Sequence, residues 1–434
     1  MDEPHADYKM NIPLLESELL LESIKNQVSE SKYPQMYGIG KGGSIVTHPE
    51  VDEDSVYFGA ADGFLYCLDF NGKEKWRFQS GDVVSSLIVK DEKVYFGSFD
   101  SNSYCLDKLG SLIWKINCKS PLGGMPAVYG NSVYIGTKDG LVYSIDLDGK
   151  VNWTFQAPES VASNIEADDK AVYFNCYNNC LYSVLHDGRL NWKTHLNSIP
   201  SAPTIYKEII YCGDFDNNFH AISLKGEVLW TVNIEAPLGG QSPRFPIIDD
   251  VAYFGNWNGD VFALDIEKRK VLWKFKTGDM IFSKPAVVNG IVYIGSTNGN
   301  FYSLDAKTGS LLWKTNVGSP IINTVVYKEG NFFFGTWYGK FLCVSDKGEI
   351  KWSFQTSIKE PSSVYVEKKF ELKRLLQEAE IGPAPNKVNY SSITQKTENA
   401  EGAYGSFSLS YTEKSRDYSG RDINLSGDRR KKYR

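Results

Sequence analysis

The sequence predicts an all-β fold, an eight-bladed β-propeller of four-stranded antiparallel blades. Eight tryptophans recur at spacings of 38 to 43 residues. A second marker, an apolar run that ends in glycine in seven of the eight units, precedes each tryptophan, from VYFG at Gly59 to FFFG at Gly335. Two markers in phase indicate a repeat array, since a period of about forty residues is typical of propellers and solenoids. The tryptophans are Trp76, Trp114, Trp153, Trp192, Trp230, Trp273, Trp313 and Trp352.

Each unit divides into four short strands. The stretch from Phe282 to Gly318 contains four runs rich in Val, Ile, Tyr and Phe, separated by two Asn-Gly pairs and a Lys-Thr-Gly turn. Asn-Gly and Asp-Gly supply the positive φ angles that two-residue hairpin turns need. The runs are continuous or alternating, whereas helical repeats would show apolar residues three and four apart. Four strands per unit correspond to one propeller blade.

The repeat resembles the quinoprotein type, found in pyrroloquinoline-quinone (PQQ) dehydrogenases and in non-enzymatic PQQ-like propellers. The consensus VYiGs.dG.lYsLD..tG.lLW carries the resemblance, which covers about residues 40 to 356. In catalytic relatives it implies PQQ, a Ca²⁺ site of Glu, Asn and Asp, a catalytic Asp and a pair of adjacent cysteines. The sequence has no adjacent cysteines, and the calcium ligands cannot be assigned. We therefore expect a non-enzymatic member without a cofactor, with PQQ and Ca²⁺ as the alternative.

Most recurring residues have a structural explanation. Each tryptophan is expected to pack between neighbouring blades. Five aspartates end the third strand of their units just before a turn, where a carboxylate can accept backbone N–H bonds. These are Asp69, Asp107, Asp146, Asp265 and Asp305.

Four regions are expected. Residues 1–36 form an extension with an amphipathic helix, residues 37–360 form the propeller, residues 361–382 offer a candidate closing strand and helix, and residues 383–434 form a disordered, basic-ended tail. Two segments compete for the inner strand of the first blade. We prefer GGSIVT at Gly42–Thr47, and SSVYV at Ser362–Val366 is the alternative.

Composition predicts a cytoplasmic protein. No stretch reaches 18 consecutive apolar residues, and the N-terminal sequence lacks the features of a signal peptide. An odd number of cysteines, seven, suits a reducing compartment. No metal site is expected, because the five histidines are scattered and none belongs to a spacing that chelates zinc. The final Arg429–Arg434 segment is basic enough to contact nucleic acid, although a solvating tail is the simpler interpretation.

The candidate site lies where the repeat pattern is broken. At the start of the inner strands, Arg244 replaces a residue such as Ser85, and Lys284 stands one position further along in the next blade. Two axial cations favour an anionic ligand, unless Arg244 simply pairs with an acid. Asn323 occupies the same row as Ser85. Two residues after the repeat glycine, five blades carry aromatic side chains that either contact a ligand or shield the hairpin tips: Phe99, Tyr177, Phe215, Trp257 and Trp337.

These features predict a non-catalytic platform that binds another protein through an aromatic and cationic face. A sensor of a small anionic ligand is the first alternative. A PQQ-dependent dehydrogenase is the second, and it rests on fold analogy alone.

Overall fold

The computed structural model describes residues 43–356, except residues 46, 162, 235–237 and 239–243. Every regular element in this part of the chain is a β-strand, and the 32 strands form eight four-stranded antiparallel sheets. The predicted eight-bladed propeller is confirmed. Each blade uses four consecutive strands in chain order, so that each blade comes from one continuous stretch of sequence.

The first four blades have the following strands. Blade 1 contains β1 (Glu50–Val51), β2 (Ser55–Gly59), β3 (Phe64–Asp69) and β4 (Glu74–Gln79). Blade 2 contains β5 (Val84–Lys90), β6 (Lys93–Ser98), β7 (Asn102–Asp107) and β8 (Leu112–Asn117). Blade 3 contains β9 (Ala127–Tyr129), β10 (Ser132–Gly136), β11 (Leu141–Asp146) and β12 (Val151–Gln156). Blade 4 contains β13 (Glu166–Ala167), β14 (Val172–Cys176), β15 (Cys180–Val184) and β16 (Leu190–His195).

The remaining four blades follow the same order. Blade 5 contains β17 (Thr204–Tyr206), β18 (Ile209–Gly213), β19 (Asn218–Ser223) and β20 (Val228–Asn233). Blade 6 contains β21 (Ile247–Ile248), β22 (Val251–Gly255), β23 (Asp260–Asp265) and β24 (Lys270–Lys276). Blade 7 contains β25 (Ala286–Val288), β26 (Ile291–Gly295), β27 (Asn300–Asp305) and β28 (Leu311–Asn316). Blade 8 contains β29 (Val326–Lys328), β30 (Asn331–Gly335), β31 (Lys340–Ser345) and β32 (Ile350–Gln355).

The tryptophans join each blade to the next, as predicted. Trp273 in blade 6 donates its Nε1–H to the carbonyl of Ala306 in blade 7, at 2.9 Å, and its ring lies against Gly309 of the same turn. A Cβ at Gly309 would come within 2.6 Å of that ring, so the turn requires glycine both for space and for its positive φ. The same donor bond recurs at Trp76, Trp114, Trp153, Trp192 and Trp352.

The aspartates at the ends of the third strands cap their turns, as predicted. Asp305 accepts the backbone N–H groups of Lys307 and Thr308, at 3.1 and 2.8 Å. Asp69 does the same for its own turn. These bonds satisfy backbone donors that the hairpin leaves unpaired.

The ring closes from the N-terminal side. The inner strand of blade 1 is β1, which pairs with β2 through Val51 and Val56. The predicted strand at Gly42–Thr47 therefore ends three residues before β1 begins at Glu50. Of that stretch, Thr47 anchors the approach to β1, because its hydroxyl exchanges two hydrogen bonds with the backbone of Gly59, both at 2.9 Å.

Short contacts seal the junction between blades 8 and 1. The Ile45 N–H donates to the carbonyl of Thr336 at 3.2 Å, and Trp352 donates to the carbonyl of Phe70 at 2.8 Å. Phe58 and Phe341 stack across the same junction with their ring centroids 4.0 Å apart. The junction is held by the same kinds of contact that join the other blades.

Three expectations fall on residues outside the described part of the chain. They are the helix in residues 12–29, the candidate closing strand and helix in residues 361–382, and the tail from residue 383 onward. Among the described residues, no helix is long and apolar enough to cross a membrane.

Candidate functional site

A ring of eight side chains surrounds the central channel. Each member lies three residues before an inner-strand residue that pairs with the second strand of its blade. Lys284 lies three residues before Val287, which pairs with Val292. Arg244 lies three residues before Ile247, which pairs with Ala252. We call this set the first ring. Its members are His48, Ser86, Met125, Asn164, Ala202, Arg244, Lys284 and Thr324.

This register corrects the sequence alignment at blade 6. The prediction that Arg244 stands in the row of Ser85 is wrong. Arg244 occupies the row of Lys284. The sixth unit has the longest spacing between tryptophans, 43 residues, and this insertion shifted the alignment by one position. The two cations are therefore equivalent residues of neighbouring blades.

Contacts across the channel show that Arg244 points toward its centre. The Arg244 guanidinium in blade 6 pairs with the Glu166 carboxylate in blade 4. It also approaches the Met125 sulfur in blade 3, at 3.2 Å. Neither blade adjoins blade 6, so these contacts are made across the channel. Arg244 thus pairs with an acid, which is the alternative to an anion site that the sequence left open for this residue.

A second ring lies two residues further along the inner strands, and it contains two acids. Successive residues of a strand point to opposite faces, so positions two apart share a face. Glu50 and Glu166 stand in this second ring, where other blades have Ile88, Ala127, Thr204, Pro246, Ala286 and Val326. We call His48, Glu50, Glu166, Arg244 and Lys284 the axial charge cluster.

Burial and charge shift the protonation equilibria of this cluster. Burial raises the pKa of Glu50 to about 7, although Lys284 and Arg244 oppose this rise. Burial lowers the pKa of His48 to about 3, and the same two cations contribute. Burial and the Arg244 charge also lower the pKa of Lys284, while Glu50 and Glu166 partly offset them. His48 is therefore neutral near pH 7 and accepts a hydrogen bond from the Thr324 hydroxyl at 2.5 Å.

Arg244 and Lys284 line one pocket between blades 6 and 7. The pocket is narrow, with room for about one water molecule. Phe245, Phe254 and Phe282 form much of its wall. Within the described residues, the Lys284 ammonium makes no ion pair or side-chain hydrogen bond, whereas Arg244 is bound to Glu166. The pocket therefore combines an apolar wall with one cation that is free to accept an anionic partner.

The aromatic positions divide into two groups. Phe215, Trp257 and Trp337 are 3 to 5% exposed, so these three shield the hairpin tips. Trp257 packs edge-on against Phe215 and against Phe282 of the pocket wall, with centroids 5.5 and 5.1 Å apart. The other two aromatic residues of this row, Phe99 and Tyr177, are half-buried.

Asn323 belongs to the ring junction. It is fully buried, and its amide donates to the carbonyl of Ile45 at 3.1 Å. Its amide oxygen is buried and has no partner among the described groups. Asn323 thus joins blades 8 and 1, and it does not line the pocket of Arg244 and Lys284.

The sequence matches a family of known propellers. A PQQ-type repeat model described as outer membrane protein assembly factor BamB matches residues 104–245, 172–278 and 257–370, which together span more than half of the chain. The chain belongs to the PQQ-like repeat β-propeller family. A model of the lambda-carrageenase β-propeller domain matches residues 49–120 of this PQQ-like propeller. Among curated protein sequences, none matches it.

Solved structures of distant relatives share the fold of this PQQ-like propeller. BamB from Moraxella catarrhalis is 14% identical, covers 73% of this chain and 95% of its own, and has a TM-score of 0.57. A europium-containing methanol dehydrogenase is 15% identical over 71% and 83%, with a TM-score of 0.58. The quinohemoprotein alcohol dehydrogenase of Comamonas testosteroni is 13% identical over 74% and 76%, with a TM-score of 0.60. At these identities the likeness shows the fold alone.

The axial residues of this PQQ-like propeller do not fit a calcium-bound quinone. Ca²⁺ takes six to eight oxygen ligands. The two axial carboxylates belong to Glu166, which is paired with Arg244, and to Glu50, which has the positive charges of Lys284 and Arg244 nearby. Among the described residues, no group of three or more His, Cys, Asp or Glu side chains has the geometry of a metal site.

Proposed function

We propose that this PQQ-like propeller is a non-catalytic platform that binds another protein, and that an acidic side chain of the partner reaches Lys284 at the mouth of the pocket of Arg244 and Lys284. The observation that carries the proposal is the pairing of two equivalent cations with an apolar wall in one pocket. A carboxylate placed there would neutralise Lys284, which has no ion pair among the described residues. Half-buried Phe99 and Tyr177 add aromatic surface, and aromatic residues are common in recognition surfaces.

The family match supports an assembly role, since the matching model is described as an assembly factor. The mismatch between the axial residues and a calcium-bound quinone supports a non-catalytic role. A sensor of a small anion is the second candidate. The Lys284 ammonium favours it, because a small anion bound beside it would neutralise that charge without any partner protein.

The test compares baits in affinity capture from the native lysate. The baits are the full-length protein, the double variant Arg244→Ala/Lys284→Ala, and a control, Lys193→Ala/Lys314→Ala. The control removes two exposed cations from outer strands, so it matches the net charge of the double variant. We expect one or more proteins to be retained by the wild type and the control but lost, by at least about tenfold, with the axial variant.

Other outcomes are equally informative. A protein held equally by all three baits would contradict binding at the axial pocket. A partner lost only when the chain is cut after residue 383 would place binding in the tail. Retention of a small anion without any protein would favour the sensor. Thermal melting of each variant separates lost binding from lost folding, and Arg244→Gln/Lys284→Gln repeats the test with less change in side-chain volume.

A further inference from the structure

Blade 5 contains three polar residues aligned across its outer strands. Asp214 follows β18, His220 lies on β19 and Thr231 lies on β20, directly opposite His220. His220 Nε2 is 2.9 Å from Asp214 Oδ2, and His220 Nδ1 is 2.9 Å from Thr231 Oγ1. Asp214 is fully buried and His220 is 4% exposed, whereas Thr231 is exposed.

The hydrogen bonds fix the direction of proton transfer. Asp214 accepts the backbone N–H of Asn218 at 2.9 Å and the Asn218 amide at 3.1 Å, so its carboxylate acts as an acceptor throughout. His220 must then carry its proton on Nε2 when it is neutral. Its Nδ1 lone pair is left to accept the Thr231 hydroxyl proton. An acid, an imidazole and a hydroxyl in this order activate nucleophiles in hydrolases, where the acid and the hydroxyl bond to the opposite ring nitrogens.

The arrangement is specific to blade 5. The equivalents of His220 are Tyr66, Tyr104, Tyr143, Tyr182, Phe262, Tyr302 and Leu342. In blade 3, Tyr143 lies opposite Thr154, which is exposed like Thr231. Thr154 therefore provides a matched threonine in the same chain, on the same strand position, without a histidine.

We propose that Thr231 is an acylation site, at which the hydroxyl takes an acyl group from an activated ester. This modification goes beyond the platform role and does not depend on it. His220 Nδ1 removes the Thr231 proton as Oγ1 bonds to the ester carbonyl carbon. The bond from that carbon to the leaving oxygen breaks, and the leaving oxygen takes the proton from Nδ1. The products are acyl-Thr231 and a free alcohol, without any redox change.

The surroundings of Thr231 suit such a donor. β20 is an outer strand, so its free edge faces away from the blade. Leu229 lies two residues before Thr231, on the same face of the strand, and is 47% exposed. Its side chain offers an acyl chain an apolar surface beside the hydroxyl. Asp214 is a positioning residue, because it acts on Thr231 through the imidazole.

The test treats the full-length protein with p-nitrophenyl acetate and measures acetylation of each threonine by peptide mass spectrometry. We expect Thr231 to acetylate at least about 100-fold faster than Thr154, since general-base catalysis contributes about 10² to 10⁴. His220→Tyr, which introduces the residue found at this position in five other blades, should remove this advantage. Asp214→Asn, which copies Asn256 of blade 6, should also remove it, because the amide can donate to Nε2 and leave the proton on Nδ1. Thr231→Ser should keep the reaction.

Two results would overturn the proposal. One is acetylation of Thr231 at the rate of Thr154. The other is an unchanged Thr231 rate in His220→Tyr, which would leave the three residues a purely structural role. Thermal melting verifies that each variant is folded, and Thr154 in the same sample is the internal reference for reagent exposure.

Discussion

At the scale of single residues, the main feature is charge placed inside a narrow channel. A buried charge is costly unless it is paired or loses its charge. The axial charge cluster shows both solutions: Arg244 pairs with Glu166, while burial shifts the pKa of Glu50 and of His48 toward their neutral forms. The cluster is therefore sensitive to pH and to any anion that enters it.

The pKa of Glu50 leads to a stability prediction. The folded protein holds this proton up to about pH 7, whereas the unfolded chain releases it near pH 4.5. The Glu50 contribution to stability is therefore complete at low pH and is lost as the pH rises between these values. We expect Glu50→Gln to equal the wild type near pH 4 and to exceed it at pH 8 by on the order of 2 to 3 kcal/mol in urea unfolding.

The control for this prediction is Glu349→Gln, which removes an exposed carboxylate. The opposite titration of His48 is common to both proteins and cancels in the difference. An equal gain in both glutamine variants, or no gain in Glu50→Gln, would contradict the buried-acid interpretation.

At the scale of elements, the tryptophan on the outer strand of one blade packs against the turn between the third and fourth strands of the next blade. This contact has an apolar part, the tryptophan ring over a glycine, and a polar part, the Nε1–H bond to a turn carbonyl. Comparing Trp273 with Trp313 separates the apolar part of the contact from the polar part. Both pack on a turn glycine, but among the described contacts Trp313 lacks the Nε1–H bond that Trp273 makes.

We therefore expect Trp273→Phe to cost about 1 kcal/mol more than Trp313→Phe in the free energy of unfolding, the usual contribution of one hydrogen bond. Both variants keep an aromatic ring over the turn glycine, so the Nε1–H bond is the main difference between them. Urea denaturation of the two proteins measures it. Equal losses would mean that the ring contact alone joins the blades.

The sequence predicts these element contacts well and the channel less well. Tryptophans and glycines recur in every blade, so the repeat itself reveals them. Glu50 and Glu166 each occur in one blade, and the partner of Glu166 lies 78 residues away in a blade that is not its neighbour. In the sequence, these two acids could have been found as exceptions in a row of mostly apolar residues such as Ile88 and Val326. Without the strand register, that row could not be aligned across the longer sixth unit.

At the scale of the whole molecule, the junction between blades 8 and 1 differs from the other seven in one respect: within residues 43–356, no short connection of the chain crosses it. The Ile45 N–H bond to Thr336 matches the Ile321 N–H bond to Ser296 between blades 7 and 8, at 3.2 and 3.1 Å. The contacts are equivalent, but an opened junction has no short tether to bring the two blades back together.

Local opening should therefore start at this junction. We expect the amide hydrogen of Ile45 to exchange at least about tenfold faster than that of Ile321 under native conditions, because exchange follows the free energy of local opening. Hydrogen exchange followed by mass spectrometry or NMR measures both amides in one sample. Equal protection would mean that the ring opens only by global unfolding.

Because every blade is built from one continuous stretch of chain, the position of the junction is set by where the chain starts, and the strand pairing within the blades does not depend on it. A circular permutant that begins in the connection between blades 3 and 4, with its original ends linked, would retain all eight sheets. The weak point would move to the new ends. Each choice of starting blade would thus place the weak junction at a different distance from the axial pocket.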